Sequence, residues 1–111
     1  MAVTAFSPLG LTVTFTAATT APASVQAIST APTTRPAREF RIVNASATTT
    51  VLLGVGATDV AAQAAAVSLA AGAIPLVPGA VEILGFPANS FFTGDTASDT
   101  AVVYITPGEG L

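Results

Sequence analysis

Short apolar runs rich in β-branched residues, each closed by Gly or Pro, recur along the whole chain, and this idiom points to a compact all-β module. The last of them, Val102-Val103-Tyr104-Ile105 followed by Thr106-Pro107-Gly108-Glu109-Gly110, predicts that the protein ends on a strand and a turn. The cleanest spans residues 11–16, where Leu11, Val13 and Phe15 alternate strictly with Thr12, Thr14 and Thr16. Side chains two apart on a strand share a face, so the three apolar residues are expected inward and the threonines outward.

The remaining elements follow from the same pattern. Residues 24–29 read as an edge strand, because Pro22, Pro32 and Pro36 around them disfavour a central position. Residues 38–44 place Phe40 and Ile42 inward and Glu39 and Arg41 outward, and after a turn at 45–48 residues 49–56 read as the hairpin partner. Further strands are expected at 73–76, 80–84, 90–93 and 101–105, separated by the turn Val77-Pro78-Gly79, a break at 85–89 and a polar loop at 94–99. Residues 57–72 leave a short helix and an extended loop open. Asp59 could cap a helix through the alanines that follow, but only Val60, Val67 and Leu69 could anchor it. So many short strands with turn chemistry between them predict a β-sandwich or a jelly roll, with residues 1–10 as a short N-terminal arm and 11–111 as one domain. A chain of 111 residues is long enough to bury a core without staples.

Composition narrows the chemistry. The chain has no His, Cys or Lys, so disulfides and thiolate or imidazole metal sites are excluded, and nothing obvious activates a Ser or Thr nucleophile. No enzyme activity and no cofactor are expected. The only cations, Arg35, Arg38 and Arg41, are too few to neutralise a nucleic-acid backbone. The charge-free run between Asp59 and Glu82 is broken by Gln63, Gly72, Pro75, Pro78 and Gly79, so no membrane span is expected. Charged residues make up 8% of the chain, against about 25% in an average soluble protein, which predicts a surface covered by other protein.

Four residues stand out as partner-binding candidates. Arg35, Arg38 and Arg41 lie close together and could meet a partner carboxylate, arginine being enriched at interfaces. Phe91-Phe92 must point to opposite faces, so one ring, with Phe92 the candidate, is expected to reach the surface or a neighbouring subunit; the other aromatic residues, Tyr104 included, read as core. Gly54-Val55-Gly56 lacks the third Gly and the Lys of phosphate loops and reads as glycines ending a strand. Asp95 and Asp99 fit turn chemistry better than a Ca²⁺ loop or an acid/base pair.

Three segments together, Phe40-Arg41-Ile42-Val43-Asn44, Pro75-Leu76-Val77-Pro78-Gly79-Ala80-Val81-Glu82 and Val103-Tyr104-Ile105-Thr106-Pro107-Gly108-Glu109-Gly110, carry a resemblance. In these segments the chain resembles the small all-β virion proteins of tailed bacteriophages, particularly head decoration or cement proteins. The resemblance implies a structural protein on the capsid exterior that docks on the major capsid protein or another virion protein and bridges capsid subunits. The alternative is a receptor- or carbohydrate-binding module of a tail fibre or surface adhesin, using the polar loops around Asn89 and residues 95–99. With no Lys to guard its strand edges, the protein is expected to form a homo-oligomer, a trimer first and a dimer next.

Overall fold

The computed structural model describes residues 6–30 and 36–109. Within them the chain is an all-β sandwich of two antiparallel sheets with one helix laid outside. The strands are β1 (Ser7–Pro8), β2 (Val13–Ala17), β3 (Val25–Gln26), β4 (Glu39–Asn44), β5 (Val51–Gly56), β6 (Ile74–Leu76), β7 (Val81–Gly85), β8 (Phe91–Asp95) and β9 (Ala101–Glu109). The helix α1 (Asp59–Ala66) and a 3-10 turn, Leu69–Ala71, lie between β5 and β6.

Sheet A runs β1-β9-β4-β7, with β2 in line with β1 along the same edge of β9. Sheet B runs β3-β8-β5-β6. Four pairs are nested inside one another along the chain: β2 with β9, β3 with β8, β4 with β7 and β5 with β6. The core lies between the sheets. Phe15, Phe40, Ile42, Val103 and Ile105 enter it from sheet A, and Val51, Leu53, Leu76 and Phe92 from sheet B. Burying each of these larger side chains is worth roughly 1.5–3 kcal/mol. Phe40, Phe86 and Phe92 form a ring cluster with centroids 5.1 to 6.1 Å apart, the Phe86–Phe92 pair being edge-on.

Strands 38–44 and 49–56 do not form the expected hairpin. β4 already has β9 on one edge and β7 on the other, while β5 lies between β8 and β6 in the opposite sheet. Phe40 and Ile42 therefore meet Val51 and Leu53 across the core rather than alongside. Asn44 makes the crossing possible. This buried side chain donates to the carbonyls of Thr49 and Leu76, both at 2.9 Å, approaches that of Val77 at 3.2 Å, and accepts from the Ser46 N–H at 3.0 Å. One amide thus ties the β4–β5 crossing to the β6–β7 crossing, and its own donors and acceptor are satisfied.

The final strand runs past the expected turn at 106–110, through Pro107 to Glu109. Pro107 is tolerated because its carbonyl accepts from the Leu9 N–H (2.8 Å), so its missing N–H faces the gap between β1 and β2 and costs the β4 ladder nothing. Strand β8 likewise takes in Gly94 and Asp95, which had read as loop. Leu11, expected inward, lies before the start of β2 and is 82% exposed. Of the N-terminal arm, Ser7–Pro8 pairs with β9; residues 1–5 lie outside the described residues.

The 57–72 stretch contains a helix, but not on the expected anchors. Its N-cap is Thr58, whose Oγ1 accepts from the Ala61 N–H at 3.1 Å, rather than Asp59. Val60, Val67 and Leu69 all face solvent, Val60 being 74% exposed. The helix is held by Ala62 and Ala66, fully buried against β5 at Gly54 and Gly56. A Cβ on either glycine would run into the helix backbone. The smallness of both surfaces is the contact, since helix and strand approach too closely for anything larger.

Candidate docking surface

The outer face of sheet A is set by the strand registers. Because Phe40, Ile42, Val103 and Ile105 point into the core, Arg41, Val43, Val102 and Tyr104 point out. Pairing of Val43 with Tyr104 and Val81, and of Arg41 with Thr106 and Ile83, lines these side chains up in rows across β9, β4 and β7. The result is an apolar stripe of Val102, Tyr104, Val43, Val81 and Ile83. Val81 is 51% exposed, Tyr104 44% and Ile83 41%. Thr14 and Thr16 of β2 border it; the Thr14 hydroxyl donates back to the Val103 carbonyl at 3.0 Å, and Thr12 and Thr106 hydrogen-bond one another at 2.7 Å. These hydroxyls are turned toward their own sheet, which leaves the stripe with little polar competition.

The outer face of sheet B differs. Alpha-helix α1 covers Gly54 and Gly56, and the segment before β3 covers Thr93, whose hydroxyl donates to the Pro22 carbonyl at 2.8 Å. The same carbonyl accepts from Gln63 Nε2 at 3.1 Å, and the Ser24 N–H donates to Asp59 Oδ1 at 2.7 Å. The Ser24 side chain and its N–H hold the Asp59 carboxyl below its ordinary value.

The four partner-binding candidates separate. Arg38 and Arg41 are exposed, Arg41 within the stripe and Arg38 at the rim beside Gly85 and Phe86; neither forms an ion pair with another described residue. Arg35 lies outside the described residues. Phe92 does not reach the surface. It is fully buried, paired through its backbone with Val25 and Val55, and it is Phe91 that is half-buried on the other side. Tyr104, read from the sequence as core, is instead the exposed ring of the stripe. Alternation on 101–105 would have found it, because Val103 and Ile105 cannot be inward with Tyr104 beside them.

Other surface features offer less chemistry. A pocket of about 320 Å³ at one end of the sandwich is lined by Val55, Ile74, Phe86, Pro87, Asn89 and Ser90 among others, without a titratable side chain. An apolar groove of about 290 Å³ lies between Leu11, Val13 and Ile28. Asp95 and Asp99 belong to a turn in which the Thr96 N–H donates to Asp95 Oδ1 (3.0 Å) and the Thr96 hydroxyl to the Asp99 carbonyl (2.7 Å). Among the described residues no three His, Cys, Asp or Glu side chains come together as a metal site. No described helix is long and apolar enough to cross a membrane. No family model, no curated protein and no solved structure matches this chain.

Proposed function

We propose that this protein is a structural docking module of the phage head decoration type, which binds an assembled capsid through the outer face of sheet A and bridges neighbouring subunits there. The observation that carries the reading is the uncovered stripe of Val43, Val81, Ile83, Val102 and Tyr104, on a chain with 8% charged residues. Contiguous exposed apolar surface of this kind marks contact sites, and an exposed Tyr among aliphatic neighbours is the usual anchor of one. Arg41 stands inside the stripe and supplies a charged contact that fixes orientation rather than affinity. The four nested strand pairs support reading the sandwich as a jelly roll, the connectivity obtained by rolling up one long hairpin. The location that follows is the capsid exterior.

Cosedimentation with assembled heads from the protein's own source tests the reading. The unmodified protein is expected to pellet with heads, and Tyr104→Glu to remain in the supernatant while unfolding at the same temperature. A protein that stays free of heads, or a Tyr104→Glu variant that binds as well as the original, overturns it.

A further inference from the structure

Strand β7 ends sheet A, and among the described residues only β4 pairs with it. In its ladder with β4, the Asn44 N–H donates to the Ala80 carbonyl (2.9 Å) and the Phe86 N–H to that of Arg38 (3.0 Å). Backbone groups on a strand alternate sides, so Ala80, Glu82, Leu84 and Phe86 face β4, while the N–H and C=O of Val81, Ile83 and Gly85 face outward. The other edges are shorter or interrupted. Strand β3 has two residues, β6 has three with Pro75 among them, and the far edge of sheet A is broken between β1 and β2. From Val81 to Gly85 there is no Pro and no Lys.

We infer that two copies associate about a two-fold axis at Ile83, their β7 strands pairing antiparallel with Ile83 opposite Ile83, and Val81 opposite Gly85 in both directions. This register engages every outward-facing backbone group of 81, 83 and 85. Sliding the pairing by two residues strands some of them or brings in Pro87, which has no N–H to give. Val81 and Ile83 lie on the outer face, so the apolar stripe runs unbroken from one copy to the other.

Charge selects the same arrangement. Glu82 is exposed on the inward side at the rim and forms no ion pair with another described residue. An inward-pointing charge on an edge strand ordinarily blocks pairing. Here Arg38, on the same side and also without an ion-pair partner among the described residues, lies two strands and two residues away from Glu82 of the second copy. That corresponds to a Cα separation of about 12 Å at ordinary sheet spacings, within the combined reach of the two side chains. The two-fold makes this pair twice. Glu82 thus rejects strands that offer it no cation and accepts this one.

An edge-to-edge contact is small beside standard interfaces, so the dimer depends on concentration. Sedimentation equilibrium on the purified protein from about 1 µM to about 1 mM is expected to show monomer passing to dimer, with the amides of Val81, Ile83 and Gly85 gaining hydrogen-exchange protection as the dimer fills. Ile83→Pro removes an N–H that the β4 ladder does not use and is expected to leave only monomer; Ile83→Lys, which keeps the backbone intact, should do the same. Arg38→Glu and Glu82→Arg are each expected to weaken association at least about fivefold, and the two together to restore it. A protein that is monomeric throughout the range, a trimer, or a dimer that survives both Ile83 variants overturns the inference. Failure of the double charge reversal to restore binding overturns the register. None of these outcomes involves capsids, so the docking proposal stands or falls separately.

Discussion

The two outer faces of this sandwich are treated in opposite ways. Outside sheet B the chain lays a third layer over β5 and β8, with α1 seated on Gly54 and Gly56 and residues 22–24 pinned to Thr93, Gln63 and Asp59. Outside sheet A no described segment does the same, although Val81, Ile83, Val102 and Tyr104 are larger and more apolar than the residues under the helix. The contrast shows that size decides which face can be closed internally. Glycine and alanine let a helix approach a strand closely, whereas a stripe of Val, Ile and Tyr stands too tall for an eight-residue alanine helix with no long side chain on its buried side. The stripe is thereby left uncovered by any described segment.

The largest effect is expected from breaking the covered face. Gly54→Val forces a branched side chain into the Ala62 and Ala66 contact and should destabilise the fold by about 3 kcal/mol, read from urea unfolding. Ala62→Gly, which opens no clash, should cost only about 1 kcal/mol, so the pair separates overpacking from loss of helix propensity. Next comes the corner that holds both faces in place: Asn44→Ala leaves the Thr49 and Leu76 carbonyls and the Ser46 N–H short of a partner and should cost about 2 kcal/mol by the same measurement.

A smaller, pH-dependent effect belongs to the cover alone. Folding lowers the Asp59 carboxyl below its ordinary value of 3.8, so the folded chain holds this proton less tightly than the unfolded one. The tie to Ser24 therefore contributes in full above that ordinary value and is lost as pH falls through the lower native one. Hydrogen-exchange protection across α1, relative to the intrinsic rate at each pH, is expected to fall on acidification before that of the β4–β9 ladder, and Asp59→Asn should remove that difference. The smallest effect is predicted for the bare face. Val102→Thr and Tyr104→Thr replace exposed side chains by a good strand former and should change stability by no more than about 0.5 kcal/mol. A loss much larger than that would mean the stripe is structural, and the contrast between the two faces would fail.

Much of the sandwich is legible in local pattern. Alternation at 38–44 places Phe40 and Ile42 in the core and Arg41 on the surface, as found, and the Val77-Pro78-Gly79 turn is where it was read, with Gly79 at φ +77°. The candidate surface is much less so. Arg38 and Arg41 are exposed as expected, but Phe92, expected at the surface from its pairing with Phe91, is interior, and Tyr104, expected in the core, is exterior. A ring next to another ring says only that the two point apart. Which one is buried depends on where the second sheet lies.

Residue type and spacing by themselves determined that this chain makes short strands, where most of them turn, and that it lacks the side chains of thiol, imidazole or amine chemistry. Those properties depend on neighbours one to four positions away. Tertiary structure alone decided that β4 and β5 face each other across the core instead of pairing, that Gly54 and Gly56 are a seat for α1, that Leu11 is left outside, and that no described strand pairs with the outer edge of β7. Each of these turns on which distant strand arrives alongside, as when Asn44 reaches Leu76 and β9 returns between β2 and β4. Alternation marks which side chains share a face, but the face becomes inside or outside only when the other sheet closes over it.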